Sequence, residues 1–503
     1  MVSDRSKEVT RREFLELGAG AAAGAALLSP LGQLLAAGGQ RKPNLLFVFA
    51  DQMRNASLGC MGNAEIHTPN LDQLAKEGVL FRNAISTYPV CTPYRGMLLT
   101  GRYATTTGCV ANGVELNSSE VTIAELLKSS AYRTGYIGKW HLEMNGQPFV
   151  PKERRQGFDF WRVRNTGGPH WDSFCYGDDP NTQIPLPGYV PDATTKIAVE
   201  YIEQHAKQPF CLFLSWGAPH PAYDPPEKYE KMYNPAKLTQ RRNVKGDEYR
   251  ANLAKYYGMI TNLDDNMRKL MAALDKAGIA QDTIVCFTSD HGDMMGSHSR
   301  FGKNVPWEES INVPFILRYP RLLRPAKTDL LLSTVDIMPT LLSLCGAQVP
   351  KSVQGRDLSY FLLGKNGKPV RGWPNSWPHI LRPGPPHAVL IERVIAGRDP
   401  QLGVDAWRGI RTARYTYVRA KEKPWLLYDN QQDPYQLRNL IGQPQMKDVQ
   451  QALDAELQNL LKKAGDDFAS VAEWRQRIKG HSNPRLTDEE TRGGRRGGRR
   501  RAR

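Results

Sequence analysis

The chain has 503 residues, of which 40% are hydrophobic and 9% aromatic, and it carries a formal net charge of +16. That apolar content excludes an intrinsically disordered chain and can fill the cores of a large catalytic domain and a smaller companion. Seven arginines in the C-terminal stretch RGGRRGGRRRAR account for part of the charge, and +9 remains without them. The charge therefore does not by itself indicate a nucleic-acid-binding fold.

The N-terminus has the pattern of an export signal. Arg11 and Arg12 precede the mildly apolar run LGAGAAAGAALL, and small residues follow around positions 36–38. This resembles a twin-arginine signal, so we expect residues 1–40 to be a signal peptide that uses the Tat export machinery. The protein would then be exported to the periplasm or cell surface of a bacterium. A membrane anchor is the alternative, but the run is shorter than the roughly 20 residues that a spanning helix needs.

From residue 44 onward, apolar strand-like runs alternate with helical patterns. NLLFVFAD is followed by TPNLDQLAKEGVLF, where Leu71, Leu74, Ala75 and Val79 recur at helical spacing. Further strands are predicted at TGYIGKW, PFCLFLSW, TIVCFTSD and VPFILRYP, with helices between them. Continuous apolar strands separated by helices predict an α/β fold, with a large, mostly parallel sheet covered by helices on both faces.

A second, smaller domain is predicted after a stretch rich in proline and glycine. HAVLIERVI, WRGIRTARYTYVRA and PWLLYD are typical of an antiparallel sheet, and MKDVQQALDAELQNLLKKAG of an amphipathic helix. We therefore predict a catalytic domain at 41–370, a C-terminal α+β domain at 371–480 and a disordered Arg/Gly-rich tail at 481–503. The tail would suit an anionic surface polymer. No specific nucleic-acid partner is expected, because an exported protein meets little RNA.

Seven cysteines in an exported chain would ordinarily suggest disulfides, but a protein that folds in the cytoplasm before export buries its thiols while they are reduced. Cys211 and Cys286 lie in strand-like runs and are expected in the core. Four others have no zinc-site spacing, namely Cys60, Cys109, Cys175 and Cys345. Only Cys91, in YPVCTPYRGMLLTGRY, is left without a structural explanation.

Polar and ionisable side chains end four of the predicted strands. They are Asp51 and Gln52, Lys139 and His141, His220, and Asp290 and His291. Any one of them could be an ordinary cap or a structural histidine. Because sites in such sheets form outside the carboxyl ends of the strands, we predict that the four groups meet in one site.

The chemistry of these residues suits a metal ion and an oxyanion. Asp51, Gln52, Asp290 and His291 offer the ligands of a hard divalent cation, calcium first, with Mg²⁺ and Mn²⁺ left open. Positive or proton-donating groups would surround that ion, namely Arg95, Lys139, His141, His220 and Lys303. Such a site suits an ester of sulfate or phosphate.

CTPYRGMLLTGR resembles the signature of type I, arylsulfatase-like sulfatases of the alkaline phosphatase superfamily. The other motifs follow in the family's order, namely FVFADQMR, GYIGKWH, GAPHPAY, TSDHGD and FGKNVPWEESINVP. The resemblance covers about residues 43–345. It implies an alkaline phosphatase-like fold and a formylglycine-generating enzyme that converts Cys91 to formylglycine, which would also contact the metal.

The resemblance also implies a role for each residue. Hydrated formylglycine would attack the sulfur of a sulfated small molecule or glycan, and His141 would later take the proton that lets sulfate leave. Arg95 would support the nucleophile, Lys139 and Lys303 would hold sulfate oxygens, and His220, alone or with Lys303, would protonate the leaving oxygen. A phosphonate or phosphate ester hydrolase of the same superfamily is the alternative. A more distant alternative is a binding protein whose basic tail holds nucleic acid or an anionic glycan.

Two positions depart from the family's common pattern. Tyr94 stands where serine is usual, within the segment that the modifying enzyme reads. Gln52 stands where many members have a second aspartate, so it lowers the negative charge around the metal by one.

Overall fold

The computed structural model describes residues 41–144, 146–363, 387–395 and 402–481. Within these ranges the chain forms a ten-stranded sheet and a separate four-stranded sheet. The strands of the large sheet are β1 (Asn44–Ala50), β2 (Val79–Ile85), β3 (Arg133–Lys139), β4 (Phe160–Arg164), β5 (Trp171–Tyr176), β6 (Gln183–Tyr189), β7 (Phe210–Ser215), β8 (Thr283–Ser289), β9 (Asn312–Arg318) and β10 (Ala326–Ser333). The strands of the small sheet are β11 (Ala388–Arg393), β12 (Trp407–Thr412), β13 (Tyr415–Arg419) and β14 (Pro424–Asp429).

The α-helices connect and cover these strands. Those in the first part of the chain are α1 (Pro69–Glu77), α2 (Cys91–Thr100), α3 (Ala104–Thr107), α4 (Ile123–Ser129), α5 (Val190–His205) and α6 (Glu227–Glu230). Those that follow are α7 (Arg250–Lys276), α8 (Glu308–Ile311), α9 (Thr334–Leu344), α10 (Ser359–Leu363), α11 (Lys447–Ala464) and α12 (Val471–Arg477). None of the helices in the described ranges has the length and apolar character of a membrane span.

The order of the large sheet brings the predicted site strands together. It runs β10-β2-β9-β8-β1-β7-β3-β4-β5-β6, and β8, β1, β7 and β3 are adjacent and parallel. Ala50 pairs with Ser289, Phe49 with Ser215, and Ser215 with Gly138. The carboxyl ends of four strands therefore lie level at one edge, as the sequence predicted.

Helices lie on both faces of this sheet because the central strands are apolar on both sides. Along β1, Phe47 packs in a core with residues of α2, α4 and α9, whereas Val48 packs in the opposite core with α1, α5 and α7. Every residue of β1, β7 and β8 is buried. The predicted α/β class and the mostly parallel sheet are confirmed.

The first predicted helix is shorter than its periodicity indicated. The apolar spacing ran from Leu71 to Val79, but α1 ends at Glu77, and Val79 begins β2. Gly78 sits where a Cβ would lie 2.7 Å from the backbone oxygen of Leu317 on β9, so the chain can pass this point only with glycine. The helix stops there because the chain joins the sheet.

The small sheet is antiparallel in the order β11-β12-β13-β14, and α11 packs against it, as predicted. It adjoins the segment that leads into α2, where the Glu392 amide donates to the Thr87 carbonyl at 2.8 Å. The boundary predicted at 370/371, the signal peptide at 1–40 and all but residue 481 of the tail lie outside the described residues and stay predictions.

Candidate active site

A buried group of four side chains lies at the level edge of the large sheet. Asp51, Cys91, Asp290 and His291 each offer a ligand atom, and these atoms all lie within 4.8 Å of one another. Asp51 directly follows β1, Asp290 and His291 follow β8, and Cys91 is the first residue of α2. Three of the sequence motifs therefore converge on one point.

The backbone at the two strand ends is fixed by hydrogen bonds to the same carboxylate. Asp290 Oδ1 accepts from the amide of Gln52 at 3.0 Å and from the amide of His291 at 2.9 Å. Gln52 has a φ of 73°, in the left-handed region, which turns the chain sharply after Asp51. The Asp290 carboxylate therefore links the segment that follows β1 to the segment that follows β8.

The donor set fits a divalent cation. His291 Nδ1 donates to the Gly292 carbonyl at 3.1 Å, so Nε2 keeps its lone pair toward the carboxylates of Asp51 and Asp290. Burial and the neighbouring Asp51 charge raise the pKa of Asp290. Two buried carboxylates this close are stabilised by a cation between them.

The thiol of Cys91 lies among positive groups. Its Sγ is 3.3 Å from His291 Nε2, 3.4 Å from Lys303 Nζ and 3.6 Å from Lys139 Nζ. Burial and the Asp51 charge would raise the pKa of this thiol, but the charges of Lys139 and Lys303 hold it well below its ordinary value. Residue 91 is thus placed to act as a nucleophile toward an anion.

Arg95 lies one turn after Cys91 on α2 and joins the two carboxylates to the sheet. Its Nη2 donates to Asp51 Oδ2 at 3.4 Å and to Asp290 Oδ2 at 3.2 Å. Its Nη1 donates to the Lys139 carbonyl at 2.6 Å and to Ser215 Oγ at 2.8 Å. The guanidinium is buried under the site, so it orients the carboxylates from below.

Two lysine ammonium groups near the thiol also bind neighbouring side chains. Lys139 Nζ donates to Asp51 Oδ2 at 2.5 Å, and Lys303 Nζ donates to Gln52 Oε1 at 2.8 Å. Gly138 allows the first contact, because β3 has a φ of 102° there and a Cβ would lie 1.9 Å from the Ser215 carbonyl oxygen. Both ammonium groups can therefore reach the oxygens of one anion.

The two predicted histidines are neutral in this environment. Burial and Lys139 lower the pKa of His141 to about 4, and its buried Nδ1 has no hydrogen-bond partner among the described residues. Burial and Lys303 lower the pKa of His220 to about 3, and its Nδ1 donates to the Pro221 carbonyl at 2.7 Å. At neutral pH both imidazoles can accept a proton.

The structure brings together all the residues predicted for the site, namely Asp51, Gln52, Cys91, Arg95, Lys139, His141, His220, Asp290, His291 and Lys303. Sequence reasoning missed Ser215, which ends β7 and supports Arg95. It also missed Asp293, which binds the Gln52 amide. The strand-end rule could have found Ser215, but nothing local marks Asp293 as a partner of Gln52.

The comparisons with known proteins agree with this geometry. The Sulfatase family profile matches residues 43–347, and that of the C-terminal part of N-sulphoglucosamine sulphohydrolase matches residues 400–463. An ulvan-active sulfatase of Formosa agariphila is 39% identical over 443 residues, covering 85% of this chain and 83% of that protein. An endo-4-O-sulfatase of Bacteroides thetaiotaomicron is 32% identical over 493 residues, covering 85% and 93%.

A solved structure from work on glycosaminoglycan metabolism by Bacteroides thetaiotaomicron has a TM-score of 0.77 at 28% identity, covering 88% of this chain and all of that one. The fold is that of the alkaline phosphatase-like class, and the site contains a buried group of side chains that could hold a metal ion. The chain belongs to the sulfatase family and is a sulfuric ester hydrolase.

Proposed function

We propose that the protein removes sulfate from a sulfated glycan, through formylglycine at position 91 and a bound divalent cation. The observation that carries this proposal is the position of the Cys91 side chain, close to two lysine ammonium groups and beside the Asp51, Asp290 and His291 cluster. A thiol is a poor catalyst for sulfate release, whereas the hydrated aldehyde made from it offers two hydroxyl groups.

Asp51, Gln52, Asp290 and His291 would hold the cation, with residue 91 beside it. Calcium is the first choice, because oxygen ligands dominate the set, and Mg²⁺ and Mn²⁺ are the alternatives. When bound, the cation polarises the nucleophilic hydroxyl and a sulfate oxygen.

In the first step, one hydroxyl of hydrated formylglycine releases its proton to solvent and attacks sulfur. A bond forms from that oxygen to sulfur, and the bond from sulfur to the alcohol oxygen breaks. Lys139 and Lys303 hold the sulfate oxygens as charge develops on them. Lys303, with His220 beside it, supplies the proton to the leaving alcohol, because neutral His220 already donates its Nδ1–H to the Pro221 carbonyl.

In the second step, the other hydroxyl of residue 91 loses its proton to His141. Its electron pair re-forms the aldehyde carbonyl, and the carbon–oxygen bond to sulfate breaks. Water then adds to the aldehyde and restores the hydrate. His141 fits the base because burial keeps its imidazole neutral, with the pKa lowered to about 4.

The relatives support a polysaccharide substrate, since their names specify ulvan-active and endo-4-O sulfatases. Maturation would require a formylglycine-generating enzyme while the chain is unfolded. Export through the Tat route would then place the folded enzyme in the periplasm or at the cell surface, where such polymers are met. The Arg/Gly-rich tail would add attraction to an anionic surface polymer.

The reaction class is tested by comparing 4-nitrophenyl sulfate with the corresponding phosphate monoester and diester. We expect kcat/KM to be highest for the sulfate, because the chain belongs to the sulfatase family. Desulfation of glycan fragments, followed by mass spectrometry, then tests the substrate class. Phosphodiester hydrolysis much faster than sulfate hydrolysis would instead favour the phosphonate or phosphate ester hydrolase.

Metal removal gives a second measurement. Treatment with EDTA is expected to abolish turnover and to lower the thermal unfolding midpoint, because Asp51 and Asp290 are left as two buried neighbouring carboxylates. Calcium added in excess should restore both quantities, and Mg²⁺ and Mn²⁺ added separately would rank the ions. Full turnover in exhaustively chelated enzyme would contradict the metal assignment.

A further inference from the structure

Asp293 is a fully buried carboxylate beside the site that no part of the proposed reaction uses. It lies two residues after His291, and its side chain has four hydrogen-bond partners. Oδ2 accepts from Gln52 Nε2 at 2.5 Å and from the Tyr223 hydroxyl at 2.9 Å. Oδ1 accepts from the amides of Met295 at 2.7 Å and Gly302 at 3.1 Å. All four partners donate in this arrangement, and a carboxylate accepts from all of them.

These contacts decide which way the Gln52 amide points. Its nitrogen is held by Asp293, so its oxygen faces the site and accepts from Lys303 Nζ at 2.8 Å. An amide has one donor end and one acceptor end, so fixing the first fixes the second. Gln52 is 2% exposed, so water does not compete for either end.

Asp293 also positions the segment that carries Lys303. The amides that it binds belong to Met295 and Gly302, at the start and end of a loop whose ends also join through the Met294 amide and the Gly302 carbonyl at 2.7 Å. Lys303 is the next residue. One carboxylate thus orients a metal ligand and anchors the base of an anion-binding lysine.

We propose that Asp293 is a positioning residue that makes glutamine functional at position 52. It holds the amide with its oxygen toward the cation and places the full negative charge one hydrogen bond away from the metal ligands. A carboxylate at position 52 is destabilising while Asp293 is present, because two buried carboxylates would face each other at hydrogen-bond distance. This inference rests on the proposed metal site but not on the identity of the ester.

The variants Asp293→Asn and Gln52→Glu, with their double variant, test this coupling. In Asp293→Asn the new NH₂ faces Gln52, so the glutamine amide turns over and presents nitrogen to the cation. We expect calcium affinity to fall at least about tenfold while the protein still folds. In Gln52→Glu the opposed carboxylates are expected to lower the unfolding midpoint of the chelated protein.

The double variant restores complementarity with the donor direction reversed. The new side-chain nitrogen at position 293 would donate to the new carboxylate at position 52, while the side-chain oxygen at 293 still accepts from the Met295 and Gly302 amides. We expect calcium affinity to return to at least the wild-type value and the midpoint of the chelated protein to recover relative to Gln52→Glu. The same change at position 293 is thus harmful beside glutamine and beneficial beside glutamate.

The matched control is Asp264→Asn on α7. Asp264 is 1% exposed and accepts from the Leu71 amide at 2.7 Å and from Asn70 Nδ2 at 2.6 Å, both on α1. This control should lower the midpoint but leave calcium affinity unchanged.

Wild-type calcium affinity in Asp293→Asn, or additive effects in the double variant, would overturn the proposal. If the wild type bound no divalent cation, the midpoints of the chelated proteins would still decide whether positions 52 and 293 are coupled. Absence of sulfatase activity would refute the proposed function alone.

Discussion

In active enzyme, the peptide that contains residue 91 is expected to be about 18 Da lighter than its cysteine form, because oxidation to the aldehyde replaces the thiol group by a carbonyl oxygen. Digestion and mass spectrometry of the purified protein measure this directly. The modified fraction should rise in parallel with specific activity when a formylglycine-generating enzyme is co-expressed. An unchanged thiol in fully active enzyme would contradict the proposed nucleophile.

Substitution separates the two chemical steps at this position. Cys91→Ala should lower kcat/KM by at least about 10³-fold, since no nucleophile remains beside the lysines. Cys91→Ser should complete only the first step, because a serine lacks the second hydroxyl, and the intact protein should gain about 80 Da of sulfate. Cys109→Ala is the matched control, since Cys109 is also fully buried but packs in the core. It should leave turnover close to wild type.

The residues of this site were predictable from the sequence because sites in parallel sheets form at the carboxyl ends of the strands. Asp51, Lys139 and Asp290 each follow or end an apolar strand, and the ends of adjacent parallel strands meet. The sequence does not state which strands are adjacent. The order β8-β1-β7-β3 depends on packing between segments that are more than 200 residues apart, such as β1 and β8.

The parts that sequence reasoning missed depend on such long-range contacts. β2 pairs in parallel with β10 and antiparallel with β9, but its first three residues, 79–81, end the stretch that was predicted to be helical. Asp293 binds an amide 241 residues earlier in the chain. Periodicity and motif spacing describe neighbours along the chain, so neither the strand nor the hydrogen bond had a local signal.

In the small sheet, too, the sequence predicts the elements but not the long-range contacts that attach them. Local alternation predicts three strand-like stretches and helical spacing predicts α11; all appear in the structure, where the stretch 407–420 forms two strands, β12 and β13. Its attachment does not follow from these patterns. Arg411 on β12 donates to Glu308 Oε1 at 2.7 Å, close to the loop of Lys303, and Trp407 Nε1 donates to the Asn304 carbonyl at 3.4 Å. The second domain thereby supports the loop that carries a predicted catalytic lysine.

Arg95→Ala is expected to have the largest effect on stability of any single change at the site. The guanidinium is buried and contacts both Asp51 and Asp290, so its removal leaves two carboxylates without their shared counter-charge. Breaking a buried ion pair by removing one partner costs about 3–5 kcal/mol. Urea unfolding of the chelated protein measures this loss. Turnover should fall as well, because the ligands of the cation lose their support.

Two companion variants make that result specific. Arg95→Lys keeps a positive charge but cannot reach the carboxylates and the Lys139 carbonyl together, so it should recover only part of the stability. Arg102→Ala, in the same segment, breaks a partly buried pair with a single carboxylate, that of Glu120 at 2.7 Å, and should therefore cost less than Arg95→Ala. Calcium should stabilise Arg95→Ala more than the wild type, because a cation between Asp51 and Asp290 replaces part of the missing charge. An equal gain from calcium in the two proteins would mean that Arg95 and the cation do not share these carboxylates.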